Sequence, residues 1–389
     1  MCQLFSVQVT TIKILSYHDR QDSPVQRTYT VSCANMIDYL ADSLVSIGYD
    51  VQIISNAKVV EPKFKIYRGS NEEIRPGVRL KSFPSWGGNK LKFIKLAWHL
   101  VALFFYLITH TRRDEPVIVH HHLGYYKVIL WAKRIRKFRL ILNVCEIYQL
   151  VSELPFRALN EIEYKTFENG DAFILCTDSL NERINKHSRP YIVMSCLYKT
   201  EPEVVDKFDD GKIHLLYAGT FEVAKGGVNA AIRATEYLPE NYHLHVLGFG
   251  TEAEIGLVKE TIAEVSARSK ASITYEGLKR GRDYIEFVQR CHIGLSTQDP
   301  TGTFNDTSYP SKLFSYLSNG LKVVTVDLPV IRQSPISDSV FYIEEYTPQA
   351  IAHAIEAAAR AEYVDGRAVI KRIDTAFVAS LKRFIESQF

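Results

Sequence analysis

Short apolar runs alternate with longer amphipathic stretches along most of this chain, and that alternation leaves few folds open. The first half reads as strand Ile12–Tyr17, helix Ser32–Ile47, strand Val51–Ser55, strand Val117–His120, helix Tyr125–Arg136, strand Arg139–Val144, helix Leu159–Glu168 and strand Ala172–Cys176. Gly48 falls where a helix should stop, because glycine takes the left-handed C-terminal cap without steric cost. A second series starts at Ile213. It runs strand His214–Tyr217, helix Val228–Tyr237, strand His243–Leu247, helix Thr251–Ser266, strand Ser272–Tyr275, helix Arg282–Gln289, strand Ile293–Ser296, helix Ser311–Ser318 and strand Val323–Val326. Strands separated by helices pair in parallel, since a helical crossover returns the chain to the same end of the sheet. The pattern predicts an α/β chain with a parallel sheet in each half. The polar, acidic segment Lys199–Gly211 reads as a linker, giving domains 1–200 and 201–372. The last helix, Thr375–Gln388 within 373–389, is expected to return to the first domain.

The chain has 389 residues, 46% hydrophobic and 23% charged, enough for two ordinary cores. Its six cysteines include no CxxC pair, which argues against a zinc cluster or a disulfide framework and for a reducing compartment. No basic start followed by an apolar run marks a signal peptide, so a cytoplasmic location is expected. Charge is uneven. Residues 1–200 hold 27 Lys+Arg against 18 Asp+Glu, a net of +9, and residues 201–389 hold 20 against 26, a net of −6. Lys81–Arg139 alone holds 12 basic and 2 acidic residues, a stretch suited to an anionic partner. A membrane surface or lipid phosphate fits; nucleic acid is not expected, because no recognition module accompanies the patch. Within this region Leu96–Ile108 has one polar residue, His99. Two readings stand: a buried core helix, or a helix in the membrane interface with Lys90, Lys92, Lys95, Arg112 and Arg113 meeting headgroups.

Four segments carry candidate chemistry in the second half, each at the C-terminal end of an expected strand. Phe304–Gly320 joins a polar loop to a helix through a Pro-Ser-Lys step, which offers free N–H groups, a hydroxyl and a cation together. Leu216–Gly227 ends a strand at Gly219, carries Lys225, and opens a helix with Gly226-Gly227. An ordinary turn with a surface lysine has the same appearance. Leu247–Gly250 and Tyr275–Lys279 complete the set. Ligands of open α/β sheets bind at that edge. In the first half, His120-His121-His122 follows a strand, with His120 and His122 on one face and His121 on the other. Three consecutive histidines on a strand cannot converge on one ion, so a metal is not the expectation. Glu146 and Arg27 lie near the same edge. Asp209-Asp210 reads as a linker turn. No nucleophile elbow, HExxH or Ser/His/Asp spacing occurs.

With these residues in order, the chain resembles a retaining glycosyltransferase of the GT-B fold, close to glycosyltransferase family 4. The resemblance covers nearly the whole length. It is strongest from His214 to Val326, where YAG…KGG, LGFG, YEGL and the PSK loop-helix occur in sequence. His120-x-His122 and Val-Cys-Glu146 match more loosely. The resemblance implies two Rossmann-like domains facing a central cleft that takes a nucleotide-sugar, UDP- in preference to GDP-, with no cofactor and no metal. It implies a glycan or polyprenyl-linked acceptor in cell-surface polysaccharide synthesis. It also implies His122, Lys225 and Glu146 at the reacting centre. The donor would lie against Gly219, Thr220, Gly250, Glu276, Leu278, Asn305, Asp306, Thr307, Ser308, Ser311, Lys312 and Ser315, with Arg27 on the acceptor side. The departing phosphate would take the acceptor proton on the same face of the sugar. Many family members carry two glutamates where this chain has Thr307 and Ser315. That departure keeps two alternatives open: a non-catalytic scaffold of the same fold, and a nucleotide-sugar epimerase using Glu146, Asp299 or Asp306.

Overall fold

The computed structural model describes residues 10–20, 22–88, 91–151, 157–200, 205–222, 226–302, 305 and 309–389. The chain divides into two compact units, Met1–Leu197 with Ala376–Phe389, and Tyr198–Thr375.

The first unit is built from β1 (Thr11–Ser16), α1 (Val31–Ser46), β2 (Asp50–Ser55), β3 (Ile66–Tyr67), β4 (Asn71–Arg75), β5 (Val78–Ser82), β6 (Ser85–Trp86), α2 (Lys92–His110), β7 (Pro116–His120), α3 (Tyr126–Arg136), β8 (Arg139–Val144), α4 (Tyr148–Val151), α5 (Arg157–Glu168), β9 (Ala172–Leu175), α6 (Asp178–Ile184) and β10 (Tyr191–Val193). Eight strands form one sheet in the order β10-β9-β8-β7-β1-β2-β5-β4. Neighbours pair in parallel except β4, which runs antiparallel to β5 on the edge. The inner strands are buried along almost their whole length, as parallel strands covered on both faces must be. Leu103 and Leu107 of α2, Ile129 and Ala132 of α3, and Phe167 of α5 pack on Val117, Val119, Leu140 and Leu142. At roughly 1.5–3 kcal/mol for each large apolar side chain removed from water, this layer supplies most of the unit's driving force. Gly48 closes α1 at φ +97°, its N–H bonded to the Val45 carbonyl, as expected of a C-terminal cap.

The second unit contains β11 (Ile213–Thr220), α7 (Gly227–Ala234), β12 (Tyr242–Phe249), α8 (Glu252–Ser266), β13 (Ser272–Gly277), α9 (Gly281–Arg290), β14 (Ile293–Ser296), α10 (Lys312–Ser318), β15 (Lys322–Val326), α11 (Pro329–Arg332), β16 (Phe341–Ile343), α12 (Pro348–Arg360) and the first part of α13 (Gly366–Glu386). Its six strands are all parallel, in the order β13-β12-β11-β14-β15-β16. Thr251 caps α8 through a reciprocal box with Glu254, which explains why that helix starts where the sequence places it.

The last helix departs from its expected start at Thr375 and begins at Gly366. Asp365 accepts a hydrogen bond from the Ala368 N–H at 3.0 Å and so caps it. Thr375, expected to open the helix, sits well inside it with its hydroxyl on the Lys371 carbonyl at 2.9 Å. The end of α13 belongs to the first unit, where Phe377 stacks on Tyr39 and Phe389 on Tyr49.

Candidate functional site

Both sheets have a point where the strand order reverses, and such a point leaves a crevice outside the strand C-termini. In the first unit it lies between β1 and β7, in the second between β11 and β14.

At the first switch point β1 delivers Tyr17 and β7 delivers the three histidines. Their directions alternate as the sequence implies. His121 turns inward, with Nδ1 2.7 Å from the Tyr126 hydroxyl and Nε2 2.9 Å from Glu163, both partners buried. His122 lies on the rim, its ring 4.3 Å from that of Tyr17. Its Nδ1 accepts the Gly124 N–H at 2.9 Å. Burial, then the charges of His121, Lys58 and His120, lower its pKa to about 4. His122 is therefore neutral at ordinary pH with its proton on Nε2, a donor suited to a hydroxyl oxygen. Glu146 follows β8 at the same edge. Arg27 does something else: its guanidinium donates to the carbonyls of Ala57 at 3.2 Å and Phe83 at 3.4 Å, tying down the loop after β1.

Sequence reasoning missed a thiol at this edge. Cys33 lies in the first turn of α1, which contains no acid; its Sγ is 3.4 Å from the Ser16 Oγ and close enough to His120 for that ring to lower its pKa. His120 Nδ1 donates to Asn143 Oδ1 at 2.8 Å, while the Asn143 amide donates to the Ile174 carbonyl and so cannot flip. That leaves His120 Nε2 toward the sulfur. Burial opposes ionisation of both groups, but the pair's mutual attraction lowers the Cys33 thiol and raises His120 to about 9. The neighbouring Cys176, then burial, pushes Cys145 upward instead, and burial does the same to Cys196. Cys33 is expected to react with iodoacetamide at pH values where an ordinary thiol, pKa about 8.5, is protonated. His120→Ala should move that profile back up. Peptide mass mapping across pH checks both, and equal labelling of Cys33 and Cys145 counts against the pairing.

The second switch point is defined by missing side chains. Gly219 and Gly248 are paired neighbours on β11 and β12, and a Cβ at Gly248 would overlap the Gly219 carbonyl oxygen. A Cβ at Gly227, the first residue of α7, would lie 3.1 Å from the Tyr217 hydroxyl and 3.2 Å from the Gln298 nitrogen. The start of α7 thus approaches the ends of β11 and β14 closely, with Gly226 at φ +61° making the turn. Lys312, the first residue of α10, places its ammonium 4.3 Å over the Tyr217 ring and 3.1 Å from where a Gly219 Cβ would be. Tyr316 fixes α10 against β11 by accepting the Ala218 N–H at 2.9 Å. Bare backbone beside a cation suits an anionic ligand. Thr220 ends β11 beside it.

The other expected donor residues are distributed more widely. Asn305 is buried and already engaged: it accepts from Gln298 and donates to the Asp299 carbonyl, both at 2.8 Å. Gly250 leads into the Thr251 cap, and Leu278 is exposed. Ser311 precedes α10 and makes no side-chain cap there. The Ser315 side chain is hydrogen-bonded to Tyr284. Lys225, Asp306, Thr307 and Ser308 lie outside the described residues.

Glu276 ends a chain that sequence reading did not foresee. Its carboxylate is 2.8 Å from His245 Nδ1, His245 Nε2 is 2.8 Å from His214 Nδ1, and His214 Nε2 is 2.9 Å from Asp210. Asp210, read as a plain linker turn, is held to about 2 chiefly by the His214 bond. His243-Leu-His245 was visible as an alternating pair; its partners on β11 and β13 come from sheet register. Nitrogens of His214, His243 and His245 lie within 4.8 Å of one another, the spacing of a possible metal site. The rings of His214 and His245 are nearly coplanar, 11° apart, with facing nitrogens. That is hydrogen-bond geometry, since metal-bound lone pairs converge on a shared point.

No family model matches the chain, and no curated protein matches it by sequence. Solved structures do. The α,α-trehalose 6-phosphate synthase of Burkholderia multivorans aligns over 97% of this chain and 98% of its own, with 11% identity and a TM-score of 0.58. A structure described as trehalose-6-phosphate from E. coli bound with UDP-2-fluoro glucose aligns over 97% and 99%, with 10% identity and a TM-score of 0.63. The lipopolysaccharide outer core galactosyltransferase WaaB, in apo form, aligns over 98% and 100%, with 13% identity and a TM-score of 0.61. Likeness at such low identity speaks to architecture, and the architecture is plain: this chain has the α/β GT-B glycosyltransferase fold.

Proposed function

We propose that this protein transfers a sugar from a nucleotide-sugar, UDP- in preference to GDP-, to a glycan or lipid-linked acceptor with retention of anomeric configuration. The observation that carries this reading is the second switch point, where Gly219, Gly227 and Gly248 leave bare backbone beside the Lys312 ammonium. A diphosphate fits that chemistry. Lys312, with Lys225, would offset the charge that develops on it as the glycosidic bond breaks, a role that requires no metal. His122, neutral and donating from Nε2, suits a sugar hydroxyl. Glu146 stands near it as a carboxylate for the acceptor side, and the departing phosphate takes the acceptor proton. The enzyme would work in the cytoplasm, at the inner face of a membrane, in cell-surface polysaccharide synthesis. Calorimetric titration with UDP, GDP and their sugars should find dissociation constants of about 1 μM–1 mM. Failure of every nucleotide and nucleotide-sugar to bind overturns the reading.

A non-catalytic scaffold is the second reading, favoured by one observation: Ser315, where relatives commonly use a carboxylate, is hydrogen-bonded to Tyr284. A carboxylate accepting two ribose hydroxyls binds more strongly than a hydroxyl. Ser315→Glu should therefore tighten UDP about tenfold if position 315 faces a ribose. Unchanged affinity, with no turnover in either protein, supports the scaffold.

A further inference from the structure

Helix α2 is amphipathic in the reverse sense. Ile94, Trp98, Val101 and Phe105, spaced four, three and four, point outward with Phe93 beside them, and these five are 41–75% exposed. Lys95 and His99 point inward and are buried. The Lys95 ammonium donates to the carbonyls of Val59 at 2.9 Å and Gly88 at 3.2 Å, so the expectation that Lys95 meets headgroups is corrected. Leu103 and Leu107 anchor the helix in the core of its unit, which rules out a simple rotation that would hide the apolar stripe. Large apolar side chains exposed in a row mark a surface made for a partner.

The neighbouring helix extends this surface. On α3, Trp131 and Ile135 are 67% and 59% exposed, and Lys127 and Arg134 share their face at i, i+4 and i+7 spacing. Neither α2 nor α3 contains an acidic residue. Exposed cations flank α2, with Lys92 in its first turn and Arg112 and Arg113 just after it. Beyond α3, a pocket of about 930 Å³ lies between α3, α5 and the loops that begin β8, β9 and β10. Arg134, Lys137, Arg139, Lys165 and Arg189 line it, together with Trp131. Of its two carboxylates, Asp171 is held by Lys133 at 2.6 Å. The Arg139 Nε is buried and has no hydrogen-bond partner among the described residues. The pocket sits at the N-terminal ends of the strands, the edge opposite His122.

We propose that this unit docks on an anionic lipid surface through the α2–α3 layer, with the basic pocket taking a phosphate-bearing lipid headgroup. The apolar stripe enters the boundary between headgroups and acyl chains, and the cations around it face lipid phosphates. Charge decides the occupant, since two adjacent helices with outward aromatics and no acid match an anionic bilayer on every exposed side. At 19 residues α2 is long enough to span a bilayer, but its buried Lys95, His99 and Leu103 belong to the fold, so it lies along the surface. This inference does not rest on the donor site.

Flotation of the full-length protein with vesicles of phosphatidylcholine, with and without phosphatidylglycerol, tests it. The anionic vesicles should bind at least about tenfold more tightly, and added salt should weaken that binding. Val101→Asp with Phe105→Asp should reduce binding about tenfold or more. Arg134→Glu with Lys137→Glu should abolish the preference for phosphatidylglycerol. Both variants should keep the wild-type melting profile and nucleotide affinity, which separates docking from the donor reading. Equal binding to both vesicle types, or none to either, overturns the proposal. So does binding of inorganic pyrophosphate without vesicle binding, or a dimer that the α2 variants dissociate.

Discussion

Lys312→Ala is expected to lower donor turnover, measured as kcat/KM, by about 10²–10³-fold, the loss typical of removing one preorganised electrostatic group. The ammonium is the cation the structure places beside the bare backbone of Gly219, and Tyr217 holds it there from below. A diphosphate leaving group gains charge as the sugar departs, so an interaction aimed at it strengthens in the transition state and appears in kcat more than in KM. Lys312→Arg keeps the charge and should recover part of the rate. Stability should change little, because the residue is only half-buried and a cation–π contact is worth about 0.5–2 kcal/mol. Initial rates with a nucleotide-sugar, beside a thermal melt, make the comparison. Full turnover in Lys312→Ala would remove Lys312 from the donor site.

The largest structural effect is expected from Gly248→Ala, at about 4 kcal/mol or more. A methyl group there overlaps the Gly219 carbonyl oxygen and comes within 2.7 Å of the buried Phe221 ring. Gly219 and Gly248 are register partners, so relief requires β11 and β12 to part where their ladder ends. Overpacking inside a sheet rarely costs less than about 1–3 kcal/mol, and here backbone rather than a flexible side chain must yield. The second unit's melting midpoint should fall by roughly 10 °C, with loss of nucleotide binding. Gly256→Ala is the control: it lies within α8 with no atom within 4 Å of its Cβ position. Removing a helix-interior glycine should raise stability by about 0.5–1 kcal/mol. A Gly248→Ala protein that melts like wild type would refute the assigned close approach.

Much of the architecture was legible from periodicity. Each strand expected from an apolar run between helical stretches is present, because a strand buried on both faces must be apolar throughout. The strands not anticipated, β3 to β6, β10 and β16, are two to five residues long. β4, reading NEEIR, is polar because an edge strand faces water, and its sequence resembles a loop. In the candidate site, Gly219 and Lys312 stood out in the sequence by turn chemistry and His122 by strand alternation. Gly227 and Gly248 stood in recognised segments, but their necessity appears only when the carbonyl or hydroxyl opposite each is known. Cys33 carried no local signal, since His120 acts on it from another strand and Asn143 orients His120 from a third.

The sequence by itself determined the alternating α/β order, the strand-end loops of the candidate site, and an uneven charge with a basic first half. Those are properties of neighbours along the chain, set by repeats of 2 and 3.6 residues. Tertiary structure decided which face of α2 meets water, that Lys95 is buried and Phe105 is not, and that Asp210, His214, His245 and Glu276 form one chain. Burial and hydrogen bonding depend on the register between segments distant in sequence, and a one-residue shift in that register reverses every side chain it carries.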